Sequence, residues 1–263
     1  MRREELRTKH SGGRFNLLGW VVMPVILLAI WQIAAERLDQ PWIFPTVTRV
    51  IEQLVHPLRE HYASGSLLSN TLISLLRVLL GFVLAAVSGV ALGITMGSIR
   101  SVRAGLEPIV EVLRPLCPIA WLPFAIVFFT ARDFPAAAVF IIFLGIFFPI
   151  LTNTVDGVKT IDPLLYDAAL TLGAKRRGIF RKVVLPASIP NMMTGIRIGI
   201  GVGWMTIVAA EMTPVFSEGL GWYIWDRAEI FHYDSMFAGM LMIGIIGLVM
   251  TKSISYTERW LRR

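Results

Sequence analysis

The sequence predicts an all-α protein that crosses a membrane six times, and three observations carry that prediction. Hydrophobic residues make up 55% of the 263 residues and charged ones only 16%, a charge share well below that of soluble domains. The mean hydropathy is +0.66, and the apolar residues gather into runs long enough to cross a bilayer as helices, roughly 20 residues each. The cations flank those runs. A net charge of +7 would suit nucleic acid, but the cations are not gathered with aromatics on one soluble face. Flanking apolar runs, they point to a lipid surface and away from DNA or RNA. The single Cys117 excludes an intrachain disulfide, and no set of Cys and His has metal-ligand spacing.

The six spans are expected near 17–35, 70–96, 106–130, 135–155, 188–211 and 236–256. The first follows a basic start, MRREELRTKH. Its apolar run is too long for the core of a signal peptide and lacks a small-residue cleavage site, so it is expected to stay as an anchor. In the long connection 36–69, Val47, Val50, Ile51, Leu54 and Leu58 share one helical face, which predicts a helix lying at the interface. Span two repeats Gly89, Gly93 and Gly97, and span five repeats Gly195 and Gly199, a helix-contact pattern for which tight packing is the plainer reading. Span three holds Pro115, Pro118 and Pro123 near mid-membrane, each removing a backbone donor. Broken helix at that depth is tolerated where it faces protein or a watery cavity. Two readings stay open there: a kinked packing helix, or a pathway lining that includes Cys117 and Trp121. Glu107, Glu111 and Arg114, at helical spacing, read as an ion-pair face, and Arg77 near the outer end of span two is placed to snorkel or pair.

Orientation follows from Lys and Arg. With the amino terminus inside, the cytoplasmic segments carry seventeen cations and the outer ones five: Arg37, Arg49, Arg59, Arg132 and Arg227. Both termini are therefore expected in the cytoplasm. The last outer loop collects Glu218, Asp226, Glu229 and Asp234.

The most polar internal stretch, DAALTLGAKRRGIFRKVVLP, then falls on the cytoplasmic side and reads as two short helices. Asp162 suits an N-cap, Pro163 the first turn and Gly173 the end of the first helix. Leu164, Leu165, Ala168 and Leu172 make an apolar strip on it. The second helix, from about Lys175, sets cations towards lipid phosphates and Ile179, Phe180 and Val183 on an apolar side. Positive-inside bias explains the cations but not a capped apolar helix beyond them; such a helix is shaped to enter a groove in a partner.

The spacing Asp167-Ala168-Ala169, three residues, Gly173, nine residues, Val183, one residue, Leu185-Pro186 resembles the Glu-Ala-Ala pattern of permease subunits of binding-protein-dependent ABC importers. Asp stands for Glu and Val for Ile. The resemblance continues through PWIFPTVTRVI, NTLISLLRVLLGFVLAAVSGVALGITMG, LRPLCPIAWLPFAIVFF and GIRIGIGVGWMTIVAAEM, and it is strongest to the nitrate/sulfonate/taurine class. CPIAW and GLGWYIWD lean to its nitrate and bicarbonate branch. It implies one permease domain over 1–263 with the type I importer fold, a cytoplasmic segment at 1–16 and a coupling-helix segment at about 157–187. Asp167, Ala168, Ala169, Leu172, Gly173, Val183, Leu185 and Pro186 would then couple to a separate ATPase. It further implies a bacterial cytoplasmic (inner) membrane, a second permease copy, two ATP-binding subunits holding ATP and Mg²⁺, and an external substrate-binding protein.

No cofactor is expected in this chain. DGVKT at 156–160 lacks the glycine-rich loop of a nucleotide site. In span five, Arg197, Gly201, Trp204, Val208 and Glu211 follow one helical face. An arginine near the membrane centre is costly, so it should face the bundle interior or a watery cavity. Arg197 is either a structural partner of a carboxylate or the charge met by a small passing anion, with Trp204 shaping the lumen; Glu211 joins the candidates on the same face. The rival functions are an ion-coupled carrier working alone, an importer of another small organic molecule such as a thiamine precursor, and a membrane scaffold that transports nothing.

Overall fold

The computed structural model describes residues 12–38, 40, 42–59, 65–129 and 134–261; the basic start at 1–11 lies outside them. The elements among these residues are helical. Three form the centre: α3 (Leu67–Ser98), α6 (Phe134–Lys159) and α9 (Leu185–Glu211), with α1 (Gly12–Leu38) and α2 (Val47–Val55) before them. Gly81, Gly89, Gly93 and Gly97 of α3 lie against Ile142, Ile150, Thr154 and Val158 of α6. The offset is 61 residues in all four pairs, so α3 and α6 run parallel. Gly195, Gly199 and Gly203 of α9 meet Ile150, Ile146 and Ile142 in turn. There the numbering rises on one helix as it falls on the other, so α9 is antiparallel to α6. Glycine on both flanks of α6 lets the backbones close in and seals Ile142, Ile146 and Ile150 completely. The outward face of α3 instead exposes Leu72, Leu76, Leu80 and Val87, as a helix facing lipid does.

Parallel α3 and α6 require the chain between them to cross back. It does so in two pieces, α4 (Arg100–Leu113) and, after a 3₁₀ turn at Pro118–Trp121, α5 (Leu122–Phe128), bent by 92°. Span three, expected at 106–130 with its prolines as a kink or a break, is therefore a broken crossing that begins at Arg100. The prolines explain the break. Pro115 and Pro118 cannot donate to the preceding turn, and Cys117, ahead of a proline, is extended at φ −60, ψ 126.

The remaining helices depart from expectation chiefly at their ends. α7 (Pro163–Thr171) is the first helix of the polar stretch, and α8 (Arg176–Ile179) is the second. α8 does not stop: a π turn at Phe180–Val184 carries it into α9, so span five begins well before residue 188. Pro186 accounts for the wide turn, because its ring would strike the carbonyl four residues back in a straight α-helix. The Leu185 N–H donates instead to the Phe180 carbonyl, five residues back. α10 (Leu220–Glu229), inside the last outer loop, was not expected; α11 (Tyr233–Leu261) exceeds its predicted span at both ends. α2 is the helix expected in this connection, with a narrower buried face. Val50 is sealed, whereas Ile51 and Leu58 stay exposed, and Gln53 Nε2 donates to Asp234 Oδ2 of α11 at 2.9 Å. α1 is tied to α2 by Trp31 Nε1–H to the Pro45 carbonyl (3.1 Å) and by the Val47 N–H to Gln32 Oε1 (2.9 Å).

Candidate functional site

α7 projects from the end of the bundle where α3 and α6 stop. Asp162 Oδ1 accepts the Leu164 N–H at 2.9 Å, and Pro163 opens the helix. The chain leaves through Gly173 at φ +74, with the Gly173 N–H donating to Leu170 O (2.9 Å) and the Ala174 N–H to Ala169 O (3.0 Å). Those paired bonds close the helix end in the left-handed manner that glycine permits. Capping at both ends is what lets so short a helix persist. Tyr166 and Ala169 turn inward onto Val158, Ile179 and Val184. Leu164, Leu165, Ala168 and Leu172 turn outward, Leu172 to 87% exposure. The motif thus divides in two. Asp167, Ala168, Leu172 and Gly173 present a surface, while Ala169, Val183 and Leu185 are half-buried and seat the segment; Pro186 stands in the first turn of α9.

A cavity of about 380 Å³ lies where the broken crossing, α6 and α9 meet. Pro118, Gly145, Phe148, Pro149, Ile198 and Val202 give it a largely apolar wall, and Arg114, Thr152 and Asn153 supply the side-chain polarity. Thr152 Oγ1 donates to Phe148 O at 2.9 Å and Asn153 Nδ2 to Pro149 O at 2.8 Å. Trp121 stacks edge-to-face on Phe124 at 5.9 Å, and Cys117 is exposed at the break, where its chain neighbours Leu116 and Pro118 form the wall itself. A second cavity of about 110 Å³ carries Glu107, Glu111, Asp156 and Lys159, and shares Arg114 and Thr152 with the first. Glu107 pairs across to Lys159 of α6 at 3.3 Å. Arg114, expected on an ion-pair face with Glu107 and Glu111, has no ion pair within 4 Å among the described residues.

Residues 89–263 match the family model "Binding-protein-dependent transport system inner membrane component". The chain belongs to that family. The permease is 43% identical over 238 residues to an ABC transporter permease protein of Methanocaldococcus jannaschii, covering 90% of this chain and 88% of the relative. It is 36% identical over 241 residues to the bicarbonate transport system permease protein of Synechococcus elongatus (90% and 86% covered). It is 31% identical over 262 residues to the taurine transport system permease protein of Escherichia coli (97% and 94% covered). Relatives named for nitrate and aliphatic sulfonates also match. In fold, it matches an inward-facing form of the MetNI methionine ABC transporter with a TM-score of 0.58, at 20% identity, over 85% of this chain and 99% of that one.

The other candidates of the permease's span five lie in contacts within the chain. Trp204 is buried, and its Nε1–H donates to Ile243 O of α11 at 3.1 Å. Arg197, seven residues nearer the α7 end, is ion-paired with Glu258 of α11; the antiparallel register sets the two helices level there, and the guanidinium reaches one turn further. Glu211 is 0% exposed. Its Oε1 accepts from Arg77 at 2.8 Å and its Oε2 from Ser74 Oγ at 2.7 Å and the Gly221 N–H at 3.1 Å. Arg77 also donates to Glu218 O at 2.9 Å and lies over the Phe216 ring, while Asn70 and Ser74 accept the Gly219 and Leu220 N–H groups, each at 2.8 Å. Gly219, at φ +118, sits where any side chain would collide with the Glu211 carboxylate. This network clamps the loop after α9 onto α3. Of the side chains that form it only Arg77 and Glu211 were singled out from the sequence; Asn70 and Ser74, polar residues one turn apart in an apolar helix, were its readable signal.

Proposed function

We propose that this permease forms half of the pathway of an ATP-driven importer for a small anion of the bicarbonate, nitrate, sulfonate or taurine type. The anion class rests on the names of the relatives. The observation that carries the coupling is α7: a doubly capped helix with Leu164, Leu165 and Leu172 exposed beyond the bundle. Exposed apolar surface of that kind, rimmed by Asp167 and Lys175, suits a groove in a separate ATPase. ATP and Mg²⁺ are bound there, and this subunit performs no catalysis. Two permease copies, two ATPases and an external binding protein make up the assembly, in a bacterial cytoplasmic membrane with both termini and α7 inside. ATP closes the ATPase pair, α7 moves with it, and the pathway turns outward; differential docking of α7 in the two states supplies the bias. The pathway follows the broken third crossing, α6 and α9, with Cys117 and Trp121 at the break. Arg197 and Trp204 belong to it in a state where the Glu258 pair opens, and Glu211 fixes the loop above it.

The test is co-purification with the ATPase and ATP-dependent uptake of bicarbonate, nitrate and taurine in proteoliposomes. Ala168→Asp places a charge on the exposed face, and Gly173→Val forces a branched side chain into φ +74. Both are expected to insert normally, to lose ATPase co-purification and to reduce uptake by about tenfold or more, as a docking loss above 1.4 kcal/mol would. Parental uptake by both variants defeats the proposal.

A further inference from the structure

The register of α4 on α6 locates Arg114 in depth. Glu107 pairs with Lys159, and seven residues further along both helices Arg114 and Thr152 line the same two cavities. Two helical turns amount to about 10 Å, so Arg114 lies that far inward from the pair, at the α4 end of the break. It stands where the cavities join. The smaller one holds Glu107, Glu111, Asp156 and Lys159; in the larger one Arg114 is the lone ionisable side chain of the wall. Arg114 is exposed in the single chain and has no carboxylate within 4 Å among the described residues, so its guanidinium is open to water or to a transient anion. Its neighbours suit an anion. Asn153 on the same wall keeps a second amide N–H beyond the one given to Pro149 O, and the rest of the wall is apolar enough to strengthen the field of a single cation. The other arginine at comparable depth on this side, Arg197, is already held by Glu258.

We propose that Arg114 is the residue that attracts and orients the transported anion at the floor of the larger cavity, before the anion passes the carboxylates of the smaller one. This rests on the importer reading above, and its decisive measurement does not depend on that reading. In the full chain in membranes, with Cys117→Ser, a single cysteine is placed at Ile198, which is exposed on the wall of the larger cavity. Its rates of modification by an anionic sulfonatoethyl and a cationic trimethylammonioethyl methanethiosulfonate are compared. Removing one positive charge at close range lowers one rate and raises the other. The anionic-to-cationic ratio is therefore expected to fall at least about threefold in Arg114→Gln and to hold in Arg114→Lys. Thr152→Asp, which leaves Arg114 in place and sets a carboxylate beside it, should lower the ratio likewise. A ratio unchanged in both Arg114→Gln and Thr152→Asp overturns the assignment. In the reconstituted importer, uptake of bicarbonate, nitrate or taurine is expected to fall about tenfold in Arg114→Gln and less in Arg114→Lys. Full uptake by Arg114→Gln also overturns it. A parent that carries none of the three would instead defeat the anion reading of the importer, and the reagent ratio would still decide the charge.

Discussion

At the scale of single residues, the chain's buried charges are committed to holding helices and loops together. Arg77 and Glu211 illustrate the energetics. Each is nearly sealed, and each has further partners around the one ion pair: Ser74 and the Gly221 N–H for the carboxylate, the Glu218 carbonyl for the guanidinium. Breaking such a pair from one side strands the other charge, at a cost of roughly 3–5 kcal/mol. Glu211→Ala should therefore lower the thermal midpoint of the solubilised permease by on the order of 10 °C. Adding Arg77→Met removes the stranded charge, so the double variant should regain at least half of that loss. Equal losses in the single and double variants would show that the guanidinium and carboxylate do not depend on one another. The same accounting explains why Arg114 stands apart: Arg77, Arg197 and Arg227 each meet a carboxylate of this chain, and Arg114 meets a cavity.

At the scale of elements, the close approach of α3 to α6 depends on the absence of side chains along one row. A β-carbon at Gly93 would stand 2.6 Å from Thr154 Cβ, a rigid branched carbon on a buried helix, whereas one at Gly105 on α4 meets nothing within 4 Å. Gly93→Val is therefore expected to force the helices apart and cost several degrees of thermal midpoint, by overpacking worth about 1–3 kcal/mol. Gly105→Ala should be neutral or slightly stabilising, since alanine is the better helix former. Similar midpoints for the two would mean the row of glycines is not what sets the spacing. Much of this architecture was legible beforehand. The glycine rows, the caps of α7 at Asp162 and Gly173, and the outward strip of Leu164, Leu165, Ala168 and Leu172 are local patterns, and local patterns survive folding. What escaped was decided by contacts distant in sequence. Three prolines announce a disturbance but do not say whether the chain kinks or turns by 92°. Glu107 and Arg114 suggested a face of their own, until Lys159, 52 residues away, took the glutamate. Pro186 reads as a boundary, yet a π turn carries the helix through it. α10 escaped because its burial comes from α9 and α11 rather than from its own weak pattern.

At the scale of the whole molecule, the helix directions convert the charge count into a topology that can be probed. α3 and α6 run towards one end and α9 away from it, so Arg100, Arg103, Lys159, Lys175, Arg177, Arg181 and Lys182 gather at that end. The opposite end holds fewer cations, and one of them is neutralised: Arg227 is buried against Asp226 at 3.1 Å and stacked on Tyr223. The asymmetry across the bundle is thus steeper than the sequence count alone conveys, and positive-inside bias predicts a cytoplasmic α7 end. That orientation is the one the importer proposal requires, because α7 must reach an ATPase that works on cytoplasmic ATP. Probes have to be chosen by exposure. Asp226 is too buried to report, but Glu229, one turn later on α10, is open, and so is Lys175 beside α7. With Cys117→Ser, single cysteines at positions 229 and 175 are treated with an impermeant thiol reagent on intact cells. Position 229 is expected to label at once and position 175 only after permeabilisation, when both should react to the same extent. Labelling of position 175 in intact cells, with position 229 protected, would invert the molecule in its membrane and remove α7 from the reach of any cytoplasmic partner.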